Sequence, residues 1–326
     1  MLHPASKTPW PKVTVVIPTL NEARNLPHVF SKLPAGLHEV IIVDGHSVDD
    51  TIAAARRLRP DVQIIMQNRR GKGNALACGF AAATGDVIVM VDADGSANPT
   101  EIPRFVDTLL DGADFAKGSR FTEDGGSSDI TRMRRLGNRM LSGLVNILCR
   151  TEYSDLCYGF NAFWRCHVSV LGLDADSVAP NGHSMKFWGD GFEVETLINI
   201  RTAQAGLIVK EVASYEYSRI HGVSNLNAFS DGLRVLRTIL VERFNLKKRK
   251  PLPQLTPFPP HRTFGCSMPG QAPNSVSIHE SVGGSQLLNL ARSEAALSPA
   301  MKYLFQGEKW NSVAKRPDRQ TNRTRR

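Results

Sequence analysis

Four short apolar runs, separated by stretches of helical character, constrain this chain more than any other feature. They are Val13-Thr14-Val15-Val16-Ile17, Val40-Ile41-Ile42-Val43, Val62-Gln63-Ile64-Ile65-Met66 and Asp86-Val87-Ile88-Val89-Met90-Val91. Continuous β-branched runs of this length read as strands buried on both faces, as in parallel sheets. Pro18 ends the first run. Helix candidates fill the gaps. One covers 22–33, with Leu26, Val29, Phe30 and Leu33 on one side; the next covers 49–58, with Asp49 and Asp50 at its start; the third is the small-residue stretch 73–83. Strand and helix alternate through roughly 80 residues, the pattern of a doubly wound, mostly parallel α/β sheet flanked by helices.

The rhythm loosens after residue 94. Helices are expected at 99–110, 132–148, 193–205 and 229–244, and strands at 114–116, 160–164 and 207–212, with a polar loop at 123–130. The 132–148 helix is amphipathic, with Met133, Leu136, Met140, Leu144 and Leu148 near helical spacing. Residues 1–11 form a flexible lead. Residues 12–246 read as one domain, with a nucleotide half (12–120) and an acceptor half (121–246). From Lys247 the text turns to Pro, Ser, Gly and Gln without period, the composition of a disordered tail over 247–326, with short helices conceivable at 287–297 and 301–305.

The net charge of +9 belongs to that tail. Residues 247–326 hold 14 Lys/Arg and 4 Asp/Glu, whereas 1–246 hold 26 and 27. The domain is therefore nearly neutral, which argues against nucleic acid as its partner. The five cysteines form no Cys-x-x-Cys pair, so reduced thiols and no zinc site are expected. No apolar stretch approaches the ~18 residues of a membrane-spanning helix, and the N-terminus shows no signal-type segment. A cytoplasmic location is the expectation. An anionic membrane surface is a further expected partner, because Lys247-Lys248-Arg249-Lys250 follows the amphipathic 229–244 stretch, and each basic residue contributes about 1 kcal/mol near anionic lipid. An ordinary core helix followed by a solvated tail is the plainer reading.

The fourth strand runs into Asp92-Ala93-Asp94. Ligands of open α/β sheets bind at the carboxyl ends of the strands. Mg²⁺ and Mn²⁺ prefer oxygen ligands, and Mg²⁺ is usually held by one or two carboxylates plus substrate phosphates. Asp92 and Asp94 therefore suggest a metal–diphosphate site. Pro18-Thr19-Leu20-Asn21-Glu22 follows the first strand without a Gly-x-Gly-x-x-Gly fingerprint, and no Walker-type loop occurs, which excludes the usual dehydrogenase and P-loop modes. That segment is either a ligand contact or a helix cap. After the second strand, Asp44 is placed to accept from a base edge or to fasten an Asx turn. Arg69-Arg70-Gly71-Lys72-Gly73 sets basic residues at a helix start, as an anion site or as a solvated turn.

Four ordered segments, Ile-Pro-Thr-x-Asn-Glu, Val-Asp-Gly-x-Ser-x-Asp-x-Thr, Gly-Lys-Gly-x-Ala and Gly-Asp-x-Ile-x-x-x-Asp-Ala-Asp, resemble glycosyltransferase family 2. Their order and spacing resemble the dolichyl-phosphate mannose or glucose synthase-like branch, over roughly residues 12–225. The resemblance implies a GT-A fold and inverting transfer of a hexose from a UDP- or GDP-sugar, with Mg²⁺ or Mn²⁺ as cofactor. It implies that Pro18, Asn21 and Glu22 line the nucleoside pocket and that Asp44 faces the base. Lys72 joins the donor contacts. Asp92 and Asp94 sit at the ribose, diphosphate and metal, with Asp94 the direct ligand. Arg120 of Gly118-Ser119-Arg120 faces the diphosphate, and Arg219 of Arg219-x-x-Gly222-x-Ser224 belongs to a segment that closes over the donor.

The acceptor expected from the resemblance is a polyprenyl phosphate, which needs no strong base. A hydroxyl acceptor is the alternative, with Asp155, Asp190 or Glu193 as its general base. Structural roles compete: Asp190 as cap of the 193–205 helix, Asp155 as a buried hydrogen-bond anchor. Three departures stand out: Gly45-His46 where members carry a second aspartate, Ser96 in place of a glutamine, and Asn225 in place of a lysine. Many members also carry C-terminal membrane helices, which this sequence lacks. Two readings from other classes remain. A nucleotidyltransferase calls for a glycine-rich, lysine-bearing loop after the first strand, and 18–22 is not that. A non-catalytic sugar-nucleotide or nucleic-acid binder is suggested only by the tail.

Overall fold

A computed structural model describes residues 10–177, 187–222 and 228–245. All lie within the first of two units, Met1–Ser267 and Met268–Arg326. Most of the lead, and the whole 247–326 tail with its two short helix candidates, fall outside the described residues.

The apolar runs fold as expected. They form β1 (Val13–Thr19), β2 (Glu39–Asp44), β3 (Gln63–Met66) and β4 (Val87–Met90). Between them lie α1 (Leu26–Phe30), α2 (Thr51–Leu58) and α3 (Lys72–Ala82). The first strand does not stop at Pro18. The Val16 carbonyl, which faces β4, accepts from Val91 N. By the period of two Pro18 faces the same side, and β4 pairing has already ended at Val16↔Met90, so its missing N–H breaks no ladder bond. The first helix is shorter than the 22–33 expected. Residues 22–25 form a turn, and helix begins only at Leu26 with Pro27 in its first turn.

Beyond β4 come α4 (Ile102–Leu110), β5 (Phe115–Ser119), β6 (Gly126–Ser127), α5 (Arg132–Cys149), β7 (Asn161–Trp164), α6 (Val168–Leu171), α7 (Val194–Gln204), β8 (Val209–Ala213), β9 (Tyr215–Glu216) and α8 (Ala228–Asn245). The seven-stranded sheet has the order β3-β2-β1-β4-β7-β5-β8. All its pairings are parallel except those of β7, which runs antiparallel to both β4 and β5. A small parallel pair, β6 with β9, stands apart from it.

Alternating side chains on the strands serve opposite faces. Val15, Ile17, Val40, Ile42 and Val89 pack with Leu26, Val29, Phe105 and Leu109 of α1 and α4. Val16, Ile41, Val43, Ile88 and Met90 pack with Leu76, Phe80, Val194 and Ile198 of α3 and α7. α3 lies very close to the sheet: a Cβ on Gly79 would sit 2.4 Å from Val16 Cγ1. A third cluster joins α5, α7 and α8 through Val145, Ile200, Val235 and Ile239.

Strand order reverses direction at β1, which has β2 on one side and β4 on the other. A crevice opens at such a switch point, outside the carboxyl ends of the strands. Residues 19–22 after β1, 44–47 after β2 and 91–96 after β4 all emerge there, and β5, parallel to β4 across β7, delivers Arg120 to the same edge.

Candidate active site

Asp92 and Asp94 leave β4 in a turn, and each is met by a cation from a distant part of the chain. Lys72 Nζ, at the start of α3, lies 2.6 Å from Asp92 Oδ1 and 2.6 Å from Glu195 Oε1. Arg219 reaches Asp94 Oδ2 with Nη2 at 3.1 Å and Glu22 Oε1 with Nη1 at 2.9 Å. Burial works against the Lys72 ammonium, yet Asp92 and Glu195 together hold its pKa above the ordinary value. Glu195 is buried on α7, and desolvation pushes its carboxyl up against the pull of Lys72. Glu22 is likewise pushed up by burial, opposed by Asn25 and Arg219. The Asp92 and Asp94 side chains stay 34% and 18% exposed, so the pair is reachable from the crevice.

The segment carrying Arg219 lies across the Asp94 turn. Tyr217 N donates to Ser96 O at 2.8 Å, and Ile220 N to Asp94 O at 3.4 Å. Gly95 sits in the left-handed region at φ 77°, and a Cβ there would lie 2.7 Å from Ile220 Cδ1. Ser96 itself donates its N–H to Asp94 Oδ1 at 3.0 Å. Asn225 lies outside the described residues.

The donor set of Asp92 and Asp94 consists of two hard carboxylates from residues one apart. Among the described residues no group of three or more His, Cys, Asp or Glu is placed to hold a metal. A divalent cation here would take two protein carboxylates and fill its remaining positions with phosphate oxygens and water, the usual habit of Mg²⁺. On that donor chemistry the residues fit a diphosphate-bound cation.

The loops after β1 and β2 are tied to each other. Asn21, held at φ 58°, donates its N–H to Ser47 Oγ at 2.8 Å and accepts from Val48 N at 2.8 Å. Asp44 is fully buried; its carboxylate accepts from Thr19 Oγ1, Ser47 N and Ser47 Oγ. In this arrangement Asp44 fastens the turn after β2. Asp49 accepts from Thr51 N at the start of α2. His46 bonds the Gln67 carbonyl at 2.9 Å. Pro18 lies within β1 at the head of this knot.

The basic loop before α3 acts as a brace. Arg69 is buried and holds Asp190 with Nε at 2.8 Å and Nη2 at 2.9 Å, which raises its pKa. Gly73 N donates to the Asp190 carbonyl at 2.8 Å. A Cβ on Gly73 would lie 1.8 Å from Gly189 O, so only glycine fits. Asp190, considered above as general base or helix cap, is therefore the buried partner of Arg69. The N-cap of α7 is Glu193, whose Oε1 accepts from Gly191 N at 3.2 Å while its buried Oε2 meets no partner.

Arg120 and Asp155 form a bidentate pair at this edge. Arg120 Nε and Nη2 lie 2.7 and 2.9 Å from the two Asp155 oxygens, and Arg120 Nη1 lies 3.0 Å from Glu216 Oε2. Asp155 is fully buried, and Arg120 outweighs the desolvation to hold its carboxyl below the usual value. Its surroundings are those of an anchor, with no room for a proton-accepting role. The anchor is set by α5, whose inner row bonds the neighbouring backbone. Asn138 accepts from Cys157 N, Ser142 from Leu156 N and Asn146 from Tyr153 N.

Sequence reasoning brought Asp92, Asp94, Glu22, Lys72 and Arg219 to one place but did not single out Glu195 or Glu216. A signal for Glu195 existed: a carboxylate inside Val194-Glu195-Thr196-Leu197, a run too apolar to leave it solvated, needs a buried cation.

Asp155→Asn leaves the Arg120 charge facing a neutral amide and is expected to cost about 3–5 kcal/mol at neutral pH. The folded-state pKa of Asp155 is depressed, so this stabilisation is complete above the unfolded value of about 3.9 and is lost as pH falls through the folded value. Urea unfolding of both proteins across pH should show a constant difference above about pH 5 that narrows below about pH 4. A difference independent of pH would contradict the pair.

Residues 14–172 match the family described as glycosyl transferase family 2. An uncharacterized glycosyltransferase of Mycobacterium tuberculosis is 41% identical over 108 residues, covering 33% of this chain and 48% of that protein. Dolichol-phosphate mannosyltransferase of Pyrococcus furiosus is 37% identical over 172 residues, covering 50% and 49%. The chain thus spans about half the length of these relatives. Glycosyltransferase AglJ of Haloferax volcanii is 29% identical over 225 residues, 68% of each chain. Among solved structures, glucosyl-3-phosphoglycerate synthase of M. tuberculosis, in complex with Mn²⁺, UDP and glucosyl-3-phosphoglycerate, superposes with a TM-score of 0.54 at 24% identity, over 72% of this chain and 80% of that one. At that identity the likeness is one of fold, and the fold is the α/β sheet described above. Residues 14–172 thus form a glycosyl transferase family 2 domain, shared with these glycosyltransferase relatives.

Proposed function

We propose that this enzyme transfers a hexose from a UDP- or GDP-sugar, with inversion, to a polyprenyl phosphate. The observation that carries the reading is the Asp92–Asp94 pair at the carboxyl end of β4, partly exposed and held between Lys72 and Arg219. Carboxylates with adjacent cations suit a diphosphate better than a neutral ligand. Asp92 and Asp94 are the residues that would hold Mg²⁺ or Mn²⁺, which when bound supplies positive charge opposite the diphosphate. Lys72 and Arg219 would orient the diphosphate and offset the charge that grows on it as the anomeric C–O bond breaks. The acceptor oxygen forms the new bond from the opposite face. Arg120, fixed by Asp155 and Glu216 at the end of β5, would face the diphosphate from the same sheet edge. The polyprenyl phosphate acceptor is supported by the dolichol-phosphate mannosyltransferase relative, and an ionised phosphate needs no base.

The donor is tested by thermal shift with a panel of UDP- and GDP-sugars, with and without Mn²⁺ or Mg²⁺. The fold neighbour that binds UDP and Mn²⁺ makes UDP-sugars the first members of the panel. At ~100 times its Kd the true donor should add ~2.7 kcal/mol, dependent on the cation, and Asp92→Asn with Asp94→Asn should abolish the shift. No stabilisation by any member, or full stabilisation of the double variant, would overturn the reading.

A hydroxyl acceptor is favoured by one observation, the buried Glu193 Oε2 without a hydrogen-bond partner. An unsatisfied carboxylate oxygen beside Gly191 is suited to take a proton. Glu193→Gln separates the two: the rate should fall by about 10²–10⁴ with a hydroxyl acceptor and hold within a few-fold with a phosphate acceptor.

A further inference from the structure

α5 turns a large part of its apolar surface to solvent. The row it buries is largely polar, Asn138 and Ser142 with Val145, because those side chains bond the 153–157 backbone. Leu141, Leu144 and Leu148 pack partly buried against the cluster of Val145, Ile200 and Val235, but four other apolar residues point outward: Met133 is 72% exposed, Leu136 56%, Met140 68% and Ile147 79%. Met133, Met140 and Ile147 are seven residues apart, so they fall in one stripe along the helix, with Leu136 beside it. Large apolar side chains lined up this way exceed the scattered exposure of an ordinary surface.

Arginines border the stripe. Arg132, Arg135 and Arg139 are exposed along one side of it, and Arg132–Cys149 contains no acidic residue. Arg134, on another side, is paired with Asp129 at 3.3 Å. A cleft of about 680 Å³ runs between the arginine row and the Tyr153-Ser154 segment. α8 shares an apolar cluster with α5 through Val235 and Ile239, and it exposes Leu233, Leu240 and Phe244 with Arg234 and Arg243.

We propose that the outer face of α5, extended by α8, is a docking surface for an anionic lipid bilayer. An interfacial helix has these parts: an apolar stripe that enters the headgroup boundary and a basic row that meets the lipid phosphates. Charge decides between occupants. A second copy of the chain would bring the same arginines together with no acidic residue on the helix to receive them. An anionic bilayer satisfies both the stripe and the row. None of the described helices is long and apolar enough to cross a membrane, so the contact is interfacial. Arg135 lies 5.5 Å from the ring of Phe121, which follows Arg120, so docking brings the acceptor side of the sheet edge near the lipid. The proposal is separable from the acceptor's identity, since vesicle binding is read without any transfer.

The test is co-sedimentation of the full chain with phosphatidylcholine vesicles, with and without about one-third phosphatidylglycerol. The wild type should bind the anionic vesicles. Met133→Ser/Met140→Ser/Ile147→Ser should weaken binding at least about tenfold, with an unchanged circular-dichroism melt, because three buried apolar side chains are lost from the contact. Arg132→Gln/Arg135→Gln/Arg139→Gln should lose the preference for anionic over neutral vesicles. Three results would overturn the proposal: no binding by the wild type, both variants binding like the wild type, or a concentration-dependent dimer that the serine variant abolishes.

Discussion

Carboxylates converge on one edge of the sheet, and the architecture of the site follows from the need to neutralise them. Glu22, Asp92, Asp94, Asp155, Asp190, Glu195 and Glu216 all lie at or beside the carboxyl ends of the strands, and four of them, Glu22, Asp155, Asp190 and Glu195, are buried. A buried carboxylate without a cation costs several kcal/mol. Each is met by a cation from another segment: Arg69 with Asp190 across 121 residues, Arg219 with Glu22 across 197, Arg120 with Asp155 across 35. The pairs therefore fix where distant loops sit relative to one another. Lys72 is the centre of this arrangement, since it joins the strand-end Asp92 to the helix-borne Glu195.

This explains why some basic motifs are not what their local sequence suggests. Arg69 and Gly73 stand where a helix N-terminus offers an anion site, yet Arg69 and Gly73 N both serve Asp190. What remains open to the crevice is narrower: the partly exposed Asp92 and Asp94, with Lys72 and Arg219 touching them. On the proposed function, charge growing on a leaving diphosphate would meet fixed groups at this edge that need not reorganise.

β1, β2 and β4 were legible in the sequence because they are buried on both faces and read as nearly unbroken apolar runs, whereas β3, at the sheet edge, is only half-buried. The strand-end motifs were legible for the same reason, as each follows such a run. Pairings were not. Glu195 and Glu216 carry no local mark of their partners, since those lie far away in sequence and only the fold brings them together. α5 misled for a different reason. Its apolar spacing marks a face, but periodicity does not say which part of that face turns in: Leu144 and Leu148 pack inward, Met133, Leu136 and Met140 turn out, and Asn138, Ser142 and Asn146 turn in to hold the Tyr153–Cys157 backbone. Asp44 shows the same limit: its position after β2 suits a base contact, while Thr19 and Ser47 take up its oxygens.

The central claim is that the acidic pair ending β4 is the seat of a cation shared with a nucleoside diphosphate. A crystal grown with Mn²⁺ and UDP tests it most directly, through the anomalous signal of the metal. The account predicts a single strong peak against the Asp92 and Asp94 carboxylates, with diphosphate oxygens completing its ligands. A nucleotide bound elsewhere, or a metal peak remote from both side chains while they keep their pairing with Lys72 and Arg219, would contradict it.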